Sequence, residues 1–220
     1  MILIPVKNLS AAKQRLARIL DQPARTELAQ TMLHDVIAAV SAWPRRTSCS
    51  LVTSDPFALE LAKQYDFEII PDPKNPGETG AIEMATQLCV SRGIESTLVI
   101  PADIPLIAAT ELDQILAQAP AEGSLLVPAA DGRGTNAAFR RPANLFPLRF
   151  GNDSFRPHLD AARSTGRPCE VLQLPGIALD VDNPGDLQQL LEHPGETRAQ
   201  ELLRQWLVED RFLDSGKEGL

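Results

Sequence analysis

Short β-branched and aliphatic runs alternate with helical stretches along this chain, and that alternation constrains the fold more than any other feature. Ile2-Leu3-Ile4-Pro5-Val6 has the brevity and unbroken apolar character of a buried parallel strand. A helix is predicted over 10–20 and a longer one over 24–42, closed by Trp43-Pro44. Strands over 49–53, 67–70 and 97–100 alternate with helices over 56–64 and 79–92. The connection 71–77 holds three prolines and is irregular by necessity. A helix over 110–118 and a strand over 124–127 continue the rhythm.

Beyond residue 129 the pattern weakens. A short strand ending at Phe139 is expected to pair antiparallel. A helix over 154–165, strands near 170–174 and 178–181, and helices over 184–191 and 196–208 follow, with a frayed tail after Arg211. Strands joined by helices of about 10–15 residues are βαβ units. The expected fold is therefore α/β and Rossmann-like: one domain, a mostly parallel sheet flanked by helices, and an antiparallel edge. The stripe Leu28, Met32, Val36, Val40 reads as core packing rather than a cofactor box.

Composition narrows the function. The chain has 220 residues and a net charge of −8, which argues against a broad basic face for coating DNA or RNA. No apolar run approaches the roughly 18 residues of a membrane span, and the first residues lack the basic lead-in of a signal peptide. Cys49, Cys89 and Cys169 are isolated, so a reducing cytosol is the expected compartment. Any anionic ligand must then be held by a local basic patch or through a metal ion.

Such a patch follows the first strand. Lys7, Lys13, Arg15 and Arg18 stand between Val6 and Leu20 with no acid among them. A loop leading from a strand into a helix favours anions, so Lys7, Lys13 and Arg15 are candidates for a phosphate cradle; a solvated basic helix face is the plainer alternative. No Walker-type or dinucleotide glycine motif is present. Asp103 lies just past the carboxyl end of the strand over 97–100, the edge where open α/β sheets bind ligands, although it could simply cap the next turn. Asp180 and Asp182 are two apart in a strand-like run, which puts both carboxylates on one face. With Asp103 as a third oxygen ligand they suit Mg²⁺ shared with substrate phosphates, whereas Asp-x-Asp-Asn-Pro is also good turn chemistry. Gly134-Thr135-Asn136 and Phe150-Gly151-Asn152-Asp153-Ser154 form a further candidate pocket, in which Ser154 opens a helix and could hold a second anion. Capping by Asp153 or Ser154 would need no ligand, and His158 one turn on has no assigned role.

Taken together, Pro5-x-Lys7, Ala12-Lys13-x-Arg15-Leu16, Asp103-Ile104-Pro105-Leu106, Gly134-Thr135-Asn136, Phe150-Gly151-x-x-Ser154-Phe155-x-x-His158 and Leu179-Asp180-x-Asp182-x-Pro184-x-Asp186-Leu187 occur in order. This set resembles the 2-phospho-L-lactate guanylyltransferases of coenzyme F420 biosynthesis over about residues 1–190. The resemblance implies a nucleotide-diphospho-sugar transferase-like fold; the nucleotidyltransferase domain is expected over 1–210, with residues 211–220 as a flexible tail by their composition. It implies transfer of GMP from GTP to the phosphate of 2-phospho-L-lactate, phosphoenolpyruvate or 3-phospho-D-glycerate. By motif, the metal-binding acids fall on Asp103, Asp180 and Asp182, and the acid-substrate contacts on Thr135, Gly151 and Ser154. Lys7, Lys13 and Arg15 would face the GTP phosphates, with Lys13 and Arg15 taking up charge on the departing pyrophosphate. The partners are small molecules, and a homodimer is compatible with the sequence. One departure stands out: Gly77-Glu78-Thr79 replaces the family's common Gly-Leu-Asn, which leaves the base preference open. A nucleotide-sugar glycosyltransferase reading of Asp180-Val181-Asp182 and a non-catalytic nucleotide-binding domain are the alternatives.

Overall fold

In the computed structural model, which describes residues 1–73, 77–151 and 153–213, seven strands form one sheet. They are β1 (Ile2–Val6), β2 (Cys49–Thr53), β3 (Glu68–Pro71), β4 (Thr97–Val99), β5 (Gly123–Pro128), β6 (Thr135–Arg141) and β7 (Cys169–Val171), in the order β3-β2-β1-β4-β6-β5-β7. β6 alone is reversed: it runs antiparallel to both β4 and β5, whereas the other pairings are parallel. The expected antiparallel strand is thus present, third from one end of the sheet.

Helices α1 (Gln22–Ala42), α2 (Pro56–Gln64), α3 (Glu78–Ser91) and α4 (Ala109–Gln118) precede β6, and α5 (Phe155–Ser164), α6 (Pro175–Ala178), α7 (Pro184–Glu192) and α8 (Arg198–Val208) follow it. Their starts are written locally. Asp21 caps α1 by accepting from the Ala24 N–H, and Asp55 caps α2 through Phe57 and Ala58, each with a proline in the first turn. Strand alternation splits the interior. Ile2, Ile4, Leu51 and Val127 pack against Leu33, Val36 and Val40 of α1, while Leu3, Val52, Val99 and Leu126 meet Ala81 and Ile82 of α3 and Leu159 of α5. The stripe Leu28, Met32, Val36, Val40 is fully buried, as its spacing predicts.

A third cluster matters for function. Leu16 and Leu20 from the loop after β1, Leu106 beyond β4, and Leu179 and Val181 before α7 pack together with Leu187, Leu203 and Trp206. The C-terminal helices therefore clamp three distant loops. Asp35 of α1 secures α8 by accepting from the N–H groups of Arg198 and Ala199. Phe212 packs on Trp206, and Leu213 N–H donates to Ile19 O, so the packed chain extends past 211; residues 214–220 of the expected tail lie outside the described residues.

Two predicted elements are replaced. Residues 10–20 are two short 3₁₀ turns, Leu9–Ala11 and Gln14–Leu16, separated by Lys13 in the left-handed region at φ +54°, which no continuous helix tolerates. Residues 178–181 are the end of α6 and an extended segment outside the sheet, because Pro175 starts a helical turn and Val181 N–H is taken by Asp103 O instead of a ladder. Within the predicted 71–77 loop, residues 74–76 lie outside the described residues, as does Asn152. No helix among the described residues is long and apolar enough to cross a membrane.

Trp206 is fully buried, and its indole N–H meets no acceptor among the described residues. Trp206→Ala is expected to cost about 3–5 kcal/mol in urea unfolding, and Trp206→Phe far less, because it keeps the ring and removes an orphan donor. Equal losses for the two variants would show that packing of the ring is not what holds α8.

Candidate active site

A pocket of about 680 Å³ opens at the carboxyl ends of β1 and β4. The loop after β1 enters it by two tight turns. Asn8 Oδ1 accepts from the Ser10 N–H, and Leu16 anchors the far end in the third core cluster. The left-handed Lys13 between them sends its side chain inward, where it is 6% exposed. Its Nζ lies 2.6 Å from Asp103 Oδ2 and 2.9 Å from Asp182 Oδ1. Burial alone would lower the ammonium's pKa, but the two carboxylates outweigh it and hold Lys13 above its ordinary value. Asp182 is correspondingly held below its own: burial pushes it up, and Lys13 pulls it down further.

The three sequence-predicted acids converge here. Asp103 O accepts from Val181 N–H at 3.1 Å, which ties the two acidic segments together. Although 179–182 is not a strand, its alternation survives: Val181 is buried in the third cluster while Asp180 and Asp182 line the pocket. Asp186 Oδ2 accepts from the backbone N–H of Asp182 and Asn183, and Asn183 caps α7. The turn chemistry and the pocket-facing acids are thus one construction. Asn136 donates from Nδ2 to Asp180 Oδ1 at 2.9 Å and to the carbonyls of Ile177 and Ala178. Burial raises Asp180 to about 6, assisted by repulsion from Asp103 and Asp182 and opposed by the Asn136 hydrogen bond.

The other cations are less committed to the pocket floor. Arg15 is 63% exposed with its guanidinium 3.7 Å from Asp182 Oδ2, and Lys7 pairs with the buried Asp72 at 2.7 Å. The acid-free stretch of sequence is therefore supplied with acids from β3's end, β4's end and the segment before α7.

In the same pocket, Thr135 and Ser154 are both buried with their hydroxyl oxygens 3.4 Å apart. Ser154 stands at the start of α5 without capping it, and Asp153 instead pairs with Arg133 at the rim. Gly151 adopts φ +135°, a conformation that L side chains rarely reach, with open space where a Cβ would stand. Phe150 next to it is bracketed by Thr79: its N–H donates to Thr79 Oγ1 at 2.9 Å, and its carbonyl accepts from the same hydroxyl at 3.2 Å. The departure at Gly77-Glu78-Thr79 thus joins α3 to the Gly151 loop. Glu78 enters the sequence reading only as part of that departure, with no role of its own. Burial raises it to about 7, with repulsion from Asp103 adding to the effect. An acid in a helix's first turn is too common for its sequence position to mark it.

Among the described residues, no three or more Asp, Glu, His or Cys side chains are arranged to hold a metal ion as they stand. The Lys13 ammonium already bridges Asp103 and Asp182. The donor set nevertheless fits Mg²⁺: it is all hard oxygen, and three carboxylates outnumber Lys13 and Arg15.

The chain matches the model of the Guanylyl transferase CofC like family over residues 1–218. It belongs to this family. It is 35% identical to the phosphoenolpyruvate guanylyltransferase of Sphaerobacter thermophilus, over 86% of this chain and 91% of that one. It is 32% identical to the 2-phospho-L-lactate guanylyltransferase of Methanothermobacter thermautotrophicus, over 92% and 88%. It is also 32% identical to the 3-phospho-D-glycerate guanylyltransferase of Colwellia psychrerythraea, over 86% and 90%. In fold it resembles a crystal structure from Desulfovibrio desulfuricans G20 assigned as a nucleotide-diphospho-sugar transferase, with a TM-score of 0.76 at 18% identity, covering 96% of each chain. The nucleotide-diphospho-sugar transferase-like fold is as expected.

Asp180 gives a pH prediction. Its carboxyl holds a proton more tightly in the fold, at about 6, than at the ordinary 3.8, so the folded state binds more protons between those values. Stability contributed by Asp180 is therefore lost as pH rises through that window. Asp180→Asn, which keeps the Oδ1 acceptor for Asn136, is expected to raise the Tm at pH 7.5 in chelator-containing buffer and to converge with the parent near pH 4. A lower Tm at pH 7.5 would contradict the electrostatic reading.

Proposed function

We propose that this protein transfers GMP from GTP to the phosphate of a small phosphocarboxylic acid and releases pyrophosphate, in the pathway to coenzyme F420. One observation carries the reading: Asp103 and Asp182 pair with the Lys13 ammonium in a pocket that Asp180 also lines and that offers the Thr135 and Ser154 hydroxyls beside Gly151. A nucleotide phosphate chain needs cations and a metal; a compact acid needs short donors and room for close approach. Lys13 and Arg15, the acids beside them, and the Thr135 and Ser154 hydroxyls support this reading.

The acceptor phosphate is largely ionised at neutral pH, its second pKa being about 6, so no general base is required. Its oxygen attacks the α-phosphorus of GTP, the bond from that phosphorus to the bridging oxygen breaks, and pyrophosphate leaves. Paired with Asp103 and Asp182, Lys13 is an ammonium, which has no lone pair with which to form a covalent guanylyl adduct. Its work is electrostatic: it relieves repulsion between the two anions, and Arg15 neutralises the departing pyrophosphate. Lys7 reaches the GTP phosphates by exchanging Asp72 for them. Mg²⁺ held by Asp103, Asp180 and Asp182 would supply Lewis-acid charge to the phosphate oxygens. Thr135, Gly151 and Ser154 hold the acceptor. Phosphoenolpyruvate, 2-phospho-L-lactate and 3-phospho-D-glycerate, the acids in the relatives' names, are the candidates.

Incubation with GTP, Mg²⁺ and each acid in turn, with products identified by mass, is expected to show acid-dependent pyrophosphate release and a guanosine diphosphate conjugate of one acid. Asp103→Ala and Asp182→Ala should each lower turnover by well over about tenfold, or 1.4 kcal/mol, with the fold retained. Release of pyrophosphate independent of every acid, or full activity in both variants, would refute the assignment. Thr135→Val and Ser154→Ala are expected to raise the acceptor KM several-fold while leaving the GTP KM in place, Thr135→Val more strongly. A GTP KM that rises instead would exchange the two subsites.

A further inference from the structure

His158 is buried in α5, 1% exposed, and its ring makes two hydrogen bonds of different sense. Nε2 lies 2.7 Å from the backbone nitrogen of Arg149, which can only donate, so Nε2 is the acceptor. In a neutral imidazole the single proton then resides on Nδ1. Nδ1 lies 2.9 Å from Thr135 Oγ1 and donates to it. The ring is kept neutral by its surroundings: burial, with the Arg140 guanidinium adding to it, lowers His158 to about 4. Phe150 packs edge-on against it with ring centroids 5.2 Å apart.

The consequence falls on the two hydroxyls. Thr135 Oγ1 accepts from His158 and lies 3.4 Å from Ser154 Oγ. Whichever hydroxyl donates across that gap, one O–H of the pair is left over, and both residues line the pocket. We propose that His158 is a positioning residue that sets the hydroxyl pair of Thr135 and Ser154 to donate one hydrogen bond to the acceptor's anionic group, while its other ring nitrogen fixes the Arg149-Phe150-Gly151 wall of the same subsite. This rests on the reading that Thr135 belongs to the acceptor subsite. If the Nδ1 proton were absent, Thr135 could spend its own hydrogen on the imidazole, and the acceptor would meet a lone pair instead of a donor. The ring is too enclosed to serve as a general acid or base, so its effect passes through Thr135.

Two substitutions separate the two bonds. His158→Gln can place an acceptor near the Nε2 position but loses the donor to Thr135; His158→Asn can place a donor near Nδ1 but loses the bond to Arg149. With circular dichroism confirming the fold, His158→Gln is expected to raise the acceptor KM roughly tenfold and leave the GTP KM unchanged, and His158→Asn to preserve more of the acceptor affinity at a lower Tm. In the double variant with Thr135→Val, the acceptor KM should be no higher than in Thr135→Val alone. In ¹⁵N–¹H spectra of the unsubstituted protein, His158 should show the Nδ1–H tautomer without ligand or turnover. An Nε2–H tautomer, or effects of His158→Gln and Thr135→Val that multiply, would overturn the proposal. An acceptor KM unchanged by Thr135→Val would instead overturn the subsite reading, and the tautomer measurement would still stand on its own.

Discussion

Everything in this site depends on a buried ammonium with two carboxylate partners. Lys13 is almost fully enclosed, and a lone charge there would be too costly to keep. Asp103 and Asp182 come from segments separated in sequence from Lys13 by nearly half and by most of the chain, so their two ion pairs fix the loop after β1, the end of β4 and the approach to α7 relative to one another. The left-handed backbone at Lys13 is what turns its side chain inward, and the third core cluster holds the same three segments from behind through Leu16, Leu106 and Val181. Charge and packing specify one arrangement from opposite sides. On the proposed function, the carboxylates that outnumber Lys13 and Arg15 here would hold the metal ion through which a chain of net charge −8 takes anionic substrates.

The two sides of the pocket use different physics. On the Lys13 side, burial and close charges act together: burial, with repulsion between the acids adding to it, pushes Asp180 and Glu78 up, whereas Lys13 pulls Asp182 down. On the Thr135 side, a neutral imidazole and short hydroxyls provide direction without charge. Thr79 links the two: it stands in the first turn of α3 beside Glu78, and its hydroxyl brackets the backbone of Phe150. The segment where this chain departs from its family's common pattern is therefore in contact with the loop that carries Gly151.

What the sequence makes legible follows from which interactions are local. Strand β2 and helix α2 match their predicted bounds because apolar run length, Asp55 and Pro56 determine them within a few residues. Asp103 is visible because a strand's end is a local mark. The segment 10–20 misleads because its helix-forming composition is overruled by one residue whose partners lie far away in sequence. Likewise 178–181 reads as a strand by alternation, yet its alternation serves a core cluster and a pocket rather than a ladder. Lys7 and Lys13 look like uncommitted cations because Asp72, Asp103 and Asp182 are distant in sequence. Glu78 and the orientation of His158 depend on tertiary contacts alone.

On the proposed function, a carboxylate-paired ammonium at Lys13 leaves GMP to pass directly from GTP to the acceptor. The stereochemical course at the α-phosphorus tests this most directly, using GTP made chiral there with sulfur and following the configuration of the conjugate formed. A single in-line displacement inverts that centre, and inversion is the result the buried, carboxylate-paired ammonium predicts. Net retention would mean two displacements through a guanylylated side chain and would contradict the role assigned to Lys13.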